Sequence, residues 1–236
     1  NFGIEAILNL SKKKFTDIKT SDLSYLIAPK INAAGRLSDM SIGIKCLIAK
    51  NKNEATIYAN KLNIINQQRK IIEDKMKKEA FSILDNHSIN NTYSISLFDK
   101  QWHQGVIGIV ASRLKERYFC PTIIFAQDEA GNLKGSGRSI PNFHLRDALD
   151  LISKKNPSLI ITFGGHAMAA GLSIRKEDFP LFCSEFELIA EKYLSPNDLK
   201  IIIENDKAIP KEYMNIETIK EINSQIWGQG FPAPVF

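Results

Sequence analysis

A chain of 236 residues, 44% hydrophobic and 24% charged, has enough apolar content to fold as one large domain or two to three small ones, which excludes disorder as its main state. No apolar run approaches the roughly 20 residues of a membrane span. With 31 basic and 26 acidic residues the formal charge is +5, a mild lean toward anionic partners that identifies none of them.

In chain order, residues 1–50 read as short helices around one loop. An apolar stretch at 23–28 meets a break at Pro29, then the run Lys30-Ile31-Asn32-Ala33-Ala34-Gly35-Arg36, and a helical pattern resumes at 41–48. No glycine or proline lies between Gly43 and Gly105. Within that interval Tyr58, Leu62, Ile65, Ile72, Met76, Ala80 and Ile83 recur at helical spacing, with Arg69 in the one missing slot. They predict a helix from about 53 to 86. At 1.5 Å per residue it would run roughly 50 Å, long enough to strut between two bodies. Two shorter core helices with a bend are the alternative. Beyond it the pattern predicts strands at 92–98, 122–126, 132–139, 159–162 and 172–174, and helices at 105–118, 145–153 and 178–193. This alternation defines an α/β fold with a mixed sheet. Ser195-Pro196-Asn197-Asp198 reads as a linker, followed by a strand-like stretch at 200–204 and a helix at 218–227.

Cys46, Cys120 and Cys183 stand far apart without paired spacing, so reduced thiols in a cytoplasmic protein are expected rather than zinc or disulfides. The chain begins at Asn1 with no signal-peptide pattern and stops on Pro234-Val235-Phe236, which reads as a piece of something longer.

Four short segments carry groups suited to an anion. In Asn32-Ala33-Ala34-Gly35-Arg36 the glycine would permit a turn, the alanines a close backbone approach, and Arg36 a planar fork for phosphate oxygens. A helix-ending turn with one surface arginine explains the same residues more simply. In Trp102-His103-Gln104-Gly105 a helix N-terminus would offer amides and a positive dipole end, with Gly105, Gly108 and Ala111 allowing tight packing. His103 there serves a ligand or a cap equally well. In Gly135-Ser136-Gly137-Arg138-Ser139 two glycines in a strand mark a bulge or a close approach, and Ser136 and Arg138 share one face. The alternative is a twisted edge strand. In Phe163-Gly164-Gly165-His166 a loop leaving a buried strand would present bare amides and an imidazole, against a tight turn with a satisfied histidine. Acidic residues such as Glu73, Asp74, Glu177 and Asp178 lie away from these segments. No Walker loop, dinucleotide fingerprint or nucleophile elbow occurs. The chain thus offers anion binders without metal carriers.

Taken together, APKINAAGRL at 28–37, WHQGVIGIVASRL at 102–114, GSGRSI at 135–140 and FGGHAMAAGLSI at 163–174 resemble, in order and spacing, the RecJ-like single-stranded-DNA exonucleases of the DHH phosphoesterase superfamily. The resemblance covers almost the whole chain. It implies a DHH-associated domain with the Gly-Gly-His motif at 89–194 and a connector helix at 51–88. The C-terminal part of a catalytic domain would precede them at 1–50, and the start of an OB-fold would follow at 195–236. It implies Mn2+ or Mg2+ held by aspartate and Asp-His-His motifs that this chain does not contain, so no metal ligand and no catalytic residue is expected here. The substrate- or phosphate-binding residues it points to are Asn32, Arg36, His103, Ser136, Arg138, Gly164, Gly165 and His166. The implied partner is single-stranded DNA, bound by a monomer away from any membrane. The implied activity is 5′ to 3′ exonucleolytic hydrolysis in repair and recombination, this chain supplying the substrate-binding half of the cleft. Lys30 stands where an arginine is common in the family, and Phe231 where an asparagine is usual. An oligoribonuclease or nucleotide phosphatase of the same superfamily, and a non-catalytic nucleic-acid-binding module, are the alternative readings.

Overall fold

The computed structural model describes residues 1–85, 92–228 and 230–236. The last residue of the expected long helix, the expected boundary at 88/89 and Gln229 lie outside the described residues. The chain divides into two compact units, residues 1–200 and 201–236.

The first unit opens with α1 (Phe2–Leu10), whose N-cap Asn1 accepts the Ile4 amide at 3.1 Å. A helical turn α2 (Thr20–Asp22) runs through a π-helical stretch at Leu23–Ile27 into α3 (Ala28–Leu37), followed by α4 (Ser41–Leu47). Pro29 does not break the chain here. It sits in the first turn of α3, at the junction with the π-helical stretch. The run from Asn32 to Arg36 is therefore continuous helix, and Gly35 makes no turn. Packing decides this: Ala33 and Ala34 are fully buried, and their small side chains let α3 close on the next helix.

That helix, α5 (Lys52–Asp85), is one unbroken element of 34 residues, as its spacing predicts. Ala55, Ala59 and Leu62 join a core with α1, α3 and α4. Met76, Ala80 and Leu84 join a second core. Between the two, Arg69 fills the polar slot and is itself buried, its Nε donating to Asn66 Oδ1 at 3.1 Å and its Nη1 pairing with Glu73.

The sheet holds β1 (Ile95–Phe98), β2 (Thr122–Gln127), β3 (Leu133–Arg138), β4 (Thr162–Gly165) and β5 (Ala169–Ile174) in the order β1-β2-β3-β5-β4. Only β1 and β2 are parallel; the other pairs are antiparallel, so the sheet is mixed. One face packs under α6 (Ile107–Tyr118) and the end of α5, against Ile124 and Ala126. The other packs under α7 (Leu145–Lys155) and α8 (Phe179–Tyr193), against Ile123, Phe125 and Leu172. β2 is buried on both faces, which is why it reads as a continuous apolar run.

Several expected strands move. The one expected at 159–162 pairs only from Thr162 onward: Leu159 and Ile160 are buried by packing rather than by a ladder, and β4 extends to Gly165. The strand expected at 92–98 begins at Ile95, where its parallel partner Thr122 begins. No strand forms at 200–204, because Ile201, Ile202 and Ile203 are 61%, 76% and 75% exposed with no ladder partner among the described residues. In the second unit, α9 (Ile216–Ser224) starts earlier and ends earlier than expected, set by the Asn215 cap on the Thr218 amide at 2.8 Å. Trp227 stacks on Phe231 at 5.2 Å across a bridge from Gly228 to Phe231.

The three cysteines are free. Burial pushes the Cys120 thiol up to about 12 and the Cys183 thiol up to about 11, so both stay protonated and unreactive at neutral pH. No described helix is long and apolar enough to cross a membrane.

Candidate phosphate-binding site

α6 covers only part of its face of the sheet. Beyond β3, over β5 and β4, the face is open, and ladder register fixes what it shows. Arg138 pairs with Ala169, Ser136 with Gly171, and Lys134 with Ser173. Gly171 then pairs with Gly164, and Ser173 with Thr162. The His166 amide donates to the Ala169 carbonyl at 2.8 Å, which closes the β4–β5 hairpin and sets His166 opposite Ala169. Since directly paired residues point the same way, Arg138 and Ala169 form one row across the sheet, with the His166 backbone at its end. Ser136, Gly171 and Gly164 form the next, and Lys134, Ser173 and Thr162 the third. Strand spacing puts Arg138 and His166 about 10 Å apart at the backbone. The floor between them is nearly bare: a Cβ at Gly164 would meet nothing within 4 Å. An open depression of about 450 Å³ runs over Lys134, Thr162, Gly164 and Gly171.

The glycines of β3 do something else. Gly135 and Gly137 face the opposite core, where a Cβ would lie 2.6 Å from Phe125 and Leu172, and 2.7 Å from Leu145, respectively. Their register is continuous on both sides, so β3 has no bulge and these two residues make room for core side chains rather than for a ligand.

At the near edge of the open face, α6 and α3 close on Arg138. A Cβ at Gly108 would lie 2.8 Å from Ser136 Oγ and 3.1 Å from Arg138 Nη2. The first turn of α6 therefore rests on this pair, and its positive dipole end adds to the local field. A Cβ at Gly105 would lie 2.0 Å from the Arg36 carbonyl oxygen, and Arg36 Nη1 donates to the Gly105 carbonyl at 3.0 Å. Close packing by Gly105 and Gly108, expected from sequence, is thus what brings Arg36, Ser136 and Arg138 together. Arg138 Nη1 donates to the Gly137 carbonyl at 2.7 Å and to Ser136 Oγ at 3.4 Å. Among the described residues neither arginine forms an ion pair with a carboxylate. Burial, and then the like charge of its neighbour, pulls each guanidinium below its ordinary value, Arg69 acting on Arg36 and Arg36 on Arg138.

The remaining expected residues take distinct places. His103 is exposed and lines an open pocket of about 550 Å³ with Arg36, Gly105 and Gln127. Its Nδ1 accepts the Gly105 amide at 3.0 Å, which leaves Nε2 as the ring's donor, so it both caps the turn and faces the pocket. Trp102 belongs to the core, with its indole N–H on Glu79 Oε2 at 3.0 Å. Asn32 is exposed on α3 one turn before Arg36, on the same side of the helix. Gly164 and Gly165 lie in an edge strand, not in the loop expected of them. Ladder alternation from the His166 bond turns the Gly164 amide into the sheet and the Gly165 amide outward. Gly165 has φ +145°, and a Cβ there would sit 2.4 Å from the Ala169 carbonyl, so only glycine fits. Lys30 is buried, with Nζ on Ser11 Oγ at 2.9 Å and the Leu26 carbonyl at 3.3 Å, outside the site. Lys134 is the exposed cation that sequence reading missed; it stands two residues before Ser136, so the same period-two rule finds it.

Gly108→Ala tests the contact directly. The new methyl meets side-chain ends rather than backbone, so the fold should persist with a stability loss of about 1 kcal/mol. Displacement of Ser136 and Arg138 should weaken phosphate binding at least about tenfold, read by titration beside a melting curve. A variant that binds as the parent does would separate α6 from the site.

Among the described residues no group of three or more His, Cys, Asp or Glu is placed to hold a metal ion. The site's own donors are guanidiniums, a hydroxyl and amides, which fit an anion and not Mn2+ or Mg2+.

Residues 90–192, the stretch that holds the sheet, match the family model of the DHHA1 domain. Over 99% of its length the chain is also similar to single-stranded-DNA-specific exonucleases named RecJ. It is 44% identical to that of Haemophilus influenzae and 40% identical to that of Escherichia coli, spanning 41% of each. A crystal structure of RecJ from Thermus thermophilus in complex with Mg2+ superimposes with a TM-score of 0.85 at 26% identity, over 100% of this chain and 35% of that one. A second structure of that enzyme, in complex with Mn2+, gives the same score. The resemblance read from the four motifs is borne out: the chain is RecJ-like over nearly its whole length, and spans about two-fifths of the curated relatives it matches.

Proposed function

We propose that the chain is the phosphate-gripping part of a RecJ-type exonuclease, a metal-dependent enzyme that removes nucleotides from single-stranded DNA in the 5′ to 3′ direction during repair and recombination. One observation carries this reading. Arg36 and Arg138 come together half-buried, without carboxylate partners, beside Ser136, the N-terminus of α6 and a bare glycine floor. Two like charges held close need an anion to offset their repulsion, and a planar guanidinium fork matches phosphate oxygens. Arg36, Ser136 and Arg138 bind and orient a phosphate, that of a strand's 5′ end included. His166 and the outward Gly165 amide, about 10 Å across the sheet, hold the next part of the backbone. Asn32, Gly164 and His103 line the approach. The divalent metal that supplies the hydrolytic chemistry belongs to other parts of the full-length protein. Residues 1–50 are the end of its catalytic domain, α5 the connector, and residues 195–236 the start of an OB-fold.

Full-length protein supplied with Mn2+ should release mononucleotides from single-stranded DNA and spare duplex DNA and short RNA. A preference for short RNA or free nucleotides would replace this reading with the oligoribonuclease one. Salt-sensitive binding with no hydrolysis would leave only a nucleic-acid-binding module.

A further inference from the structure

We infer that Glu73, on the long helix, sets how tightly the Arg36–Arg138 site holds a phosphate, by cancelling one of the guanidinium charges gathered behind it. The inference rests on the phosphate-binding reading above and adds a residue to it that touches no substrate.

The Glu73 side chain is only 14% exposed. One carboxylate oxygen pairs with Arg69 Nη1, one turn earlier on α5, and the other lies 3.5 Å from Arg113 Nε on α6. The acid therefore ties α5 to α6, whose Gly108 rests on Ser136 and Arg138 and whose leading turn rests on Arg36 through Gly105. Arg36 feels Arg69 as a like charge and Glu73 as an opposite one, and Arg138 feels Arg36. Arg113 has a second carboxylate of its own, Glu116 at 3.1 Å, and is half exposed. Arg36, Arg69 and Arg138 against Glu73 leave a surplus of two positive charges. That surplus matches a doubly charged phosphate group. Partial burial keeps these charges from being screened as a surface pair would be.

Removing the acid has opposite consequences under two readings. If Glu73 acts through its charge, its loss raises the surplus to three, and phosphate binds more tightly and leaves more slowly. If Glu73 is only a structural tie, its loss loosens α5 from α6 and phosphate binds more weakly.

The test uses full-length protein in metal-free buffer, with inorganic phosphate displacing a 5′-phosphorylated oligothymidylate. Glu73→Gln should lower the phosphate Kd about tenfold, which is about 1.4 kcal/mol. Glu73→Asp keeps the charge, and the double variant Arg69→Gln with Glu73→Gln removes one charge of each sign. Both should stay within about threefold of the parent. Phosphate binding by folded Glu73→Gln that is unchanged or weaker overturns the inference. Should Glu73→Gln not fold, Arg69→Gln replaces it. That variant should weaken phosphate binding about tenfold, and an unchanged Kd overturns the inference equally. Arg138→Ala in the same assay separates the two levels: if it leaves phosphate binding intact, the phosphate-binding reading itself falls, whatever Glu73 does.

Discussion

Replacing Arg138 by alanine should weaken the full-length protein's hold on a 5′-phosphorylated strand about 10- to 100-fold, while the melting temperature stays within about 2 °C of the parent. The two effects separate because of where Arg138 spends its donors. Its bonds within the protein go to Gly137 and Ser136 on its own strand, and the fold does not need them. No acid is left unpaired by its removal. What is lost is a charge-assisted contact to phosphate, worth about 1.5–3 kcal/mol. Burial and Arg36 lower its pKa, yet a guanidinium starts so far above neutral pH that it stays charged at working pH, so the loss should not depend on pH between 6 and 9. Arg138→Lys should fall between the two, keeping the charge and losing the fork. Affinities for 5′-phosphate and 5′-hydroxyl strands, measured side by side, give the answer. Equal binding of the phosphorylated strand by parent and Arg138→Ala would remove Arg138 from the site.

Gly105→Ala should cost about 3 kcal/mol or more and lower the melting temperature by about 6–12 °C. The added methyl would lie 2.0 Å from the Arg36 carbonyl oxygen, 2.8 Å from its carbon and 3.2 Å from its Cα. All three are backbone atoms, so no rotamer change relieves the contact and the α3–α6 seam must open. Opening it also breaks the bond from Arg36 Nη1 to the Gly105 carbonyl, so binding and stability fail together. Gly164→Ala is the control, since a Cβ there meets nothing within 4 Å. It should melt within about 2 °C of the parent. A Gly105→Ala protein that melts with the control would contradict the seam.

What the sequence made legible follows from period. The buried face of α5 and the shared face of Ser136 and Arg138 both come from local repeats that hold wherever the element packs. Breaker residues were less reliable. Pro29 and Gly35 lie within a helix here, because burial of Ala33 and Ala34 against α5 outweighs their preference for turns. Gly135 and Gly137 read locally as a bulge or a close approach, and their true neighbours, Phe125, Leu172 and Leu145, come from other strands and a helix that no local pattern reveals. Gly164 and Gly165 read as a loop because Leu159 and Ile160 look like a buried strand. Pairing with β5 moved the ladder three residues on. Glu73 reads as lying away from the glycine motifs. It is far in sequence, and only the packing of α5 on α6 brings it behind Arg36.

The uninterrupted course of α5 limits how its two ends can move. Its first half is embedded among the N-terminal helices and its second half beneath the sheet, so neither layer can twist about the axis without turning the other. Straight helices bend only where something disturbs their ladder, and the interval from Asn66 to Glu73 is where apolar anchoring gives way to ionic ties. There Arg69 and Glu73, one turn apart on the same side, brace the helix between its two packed ends.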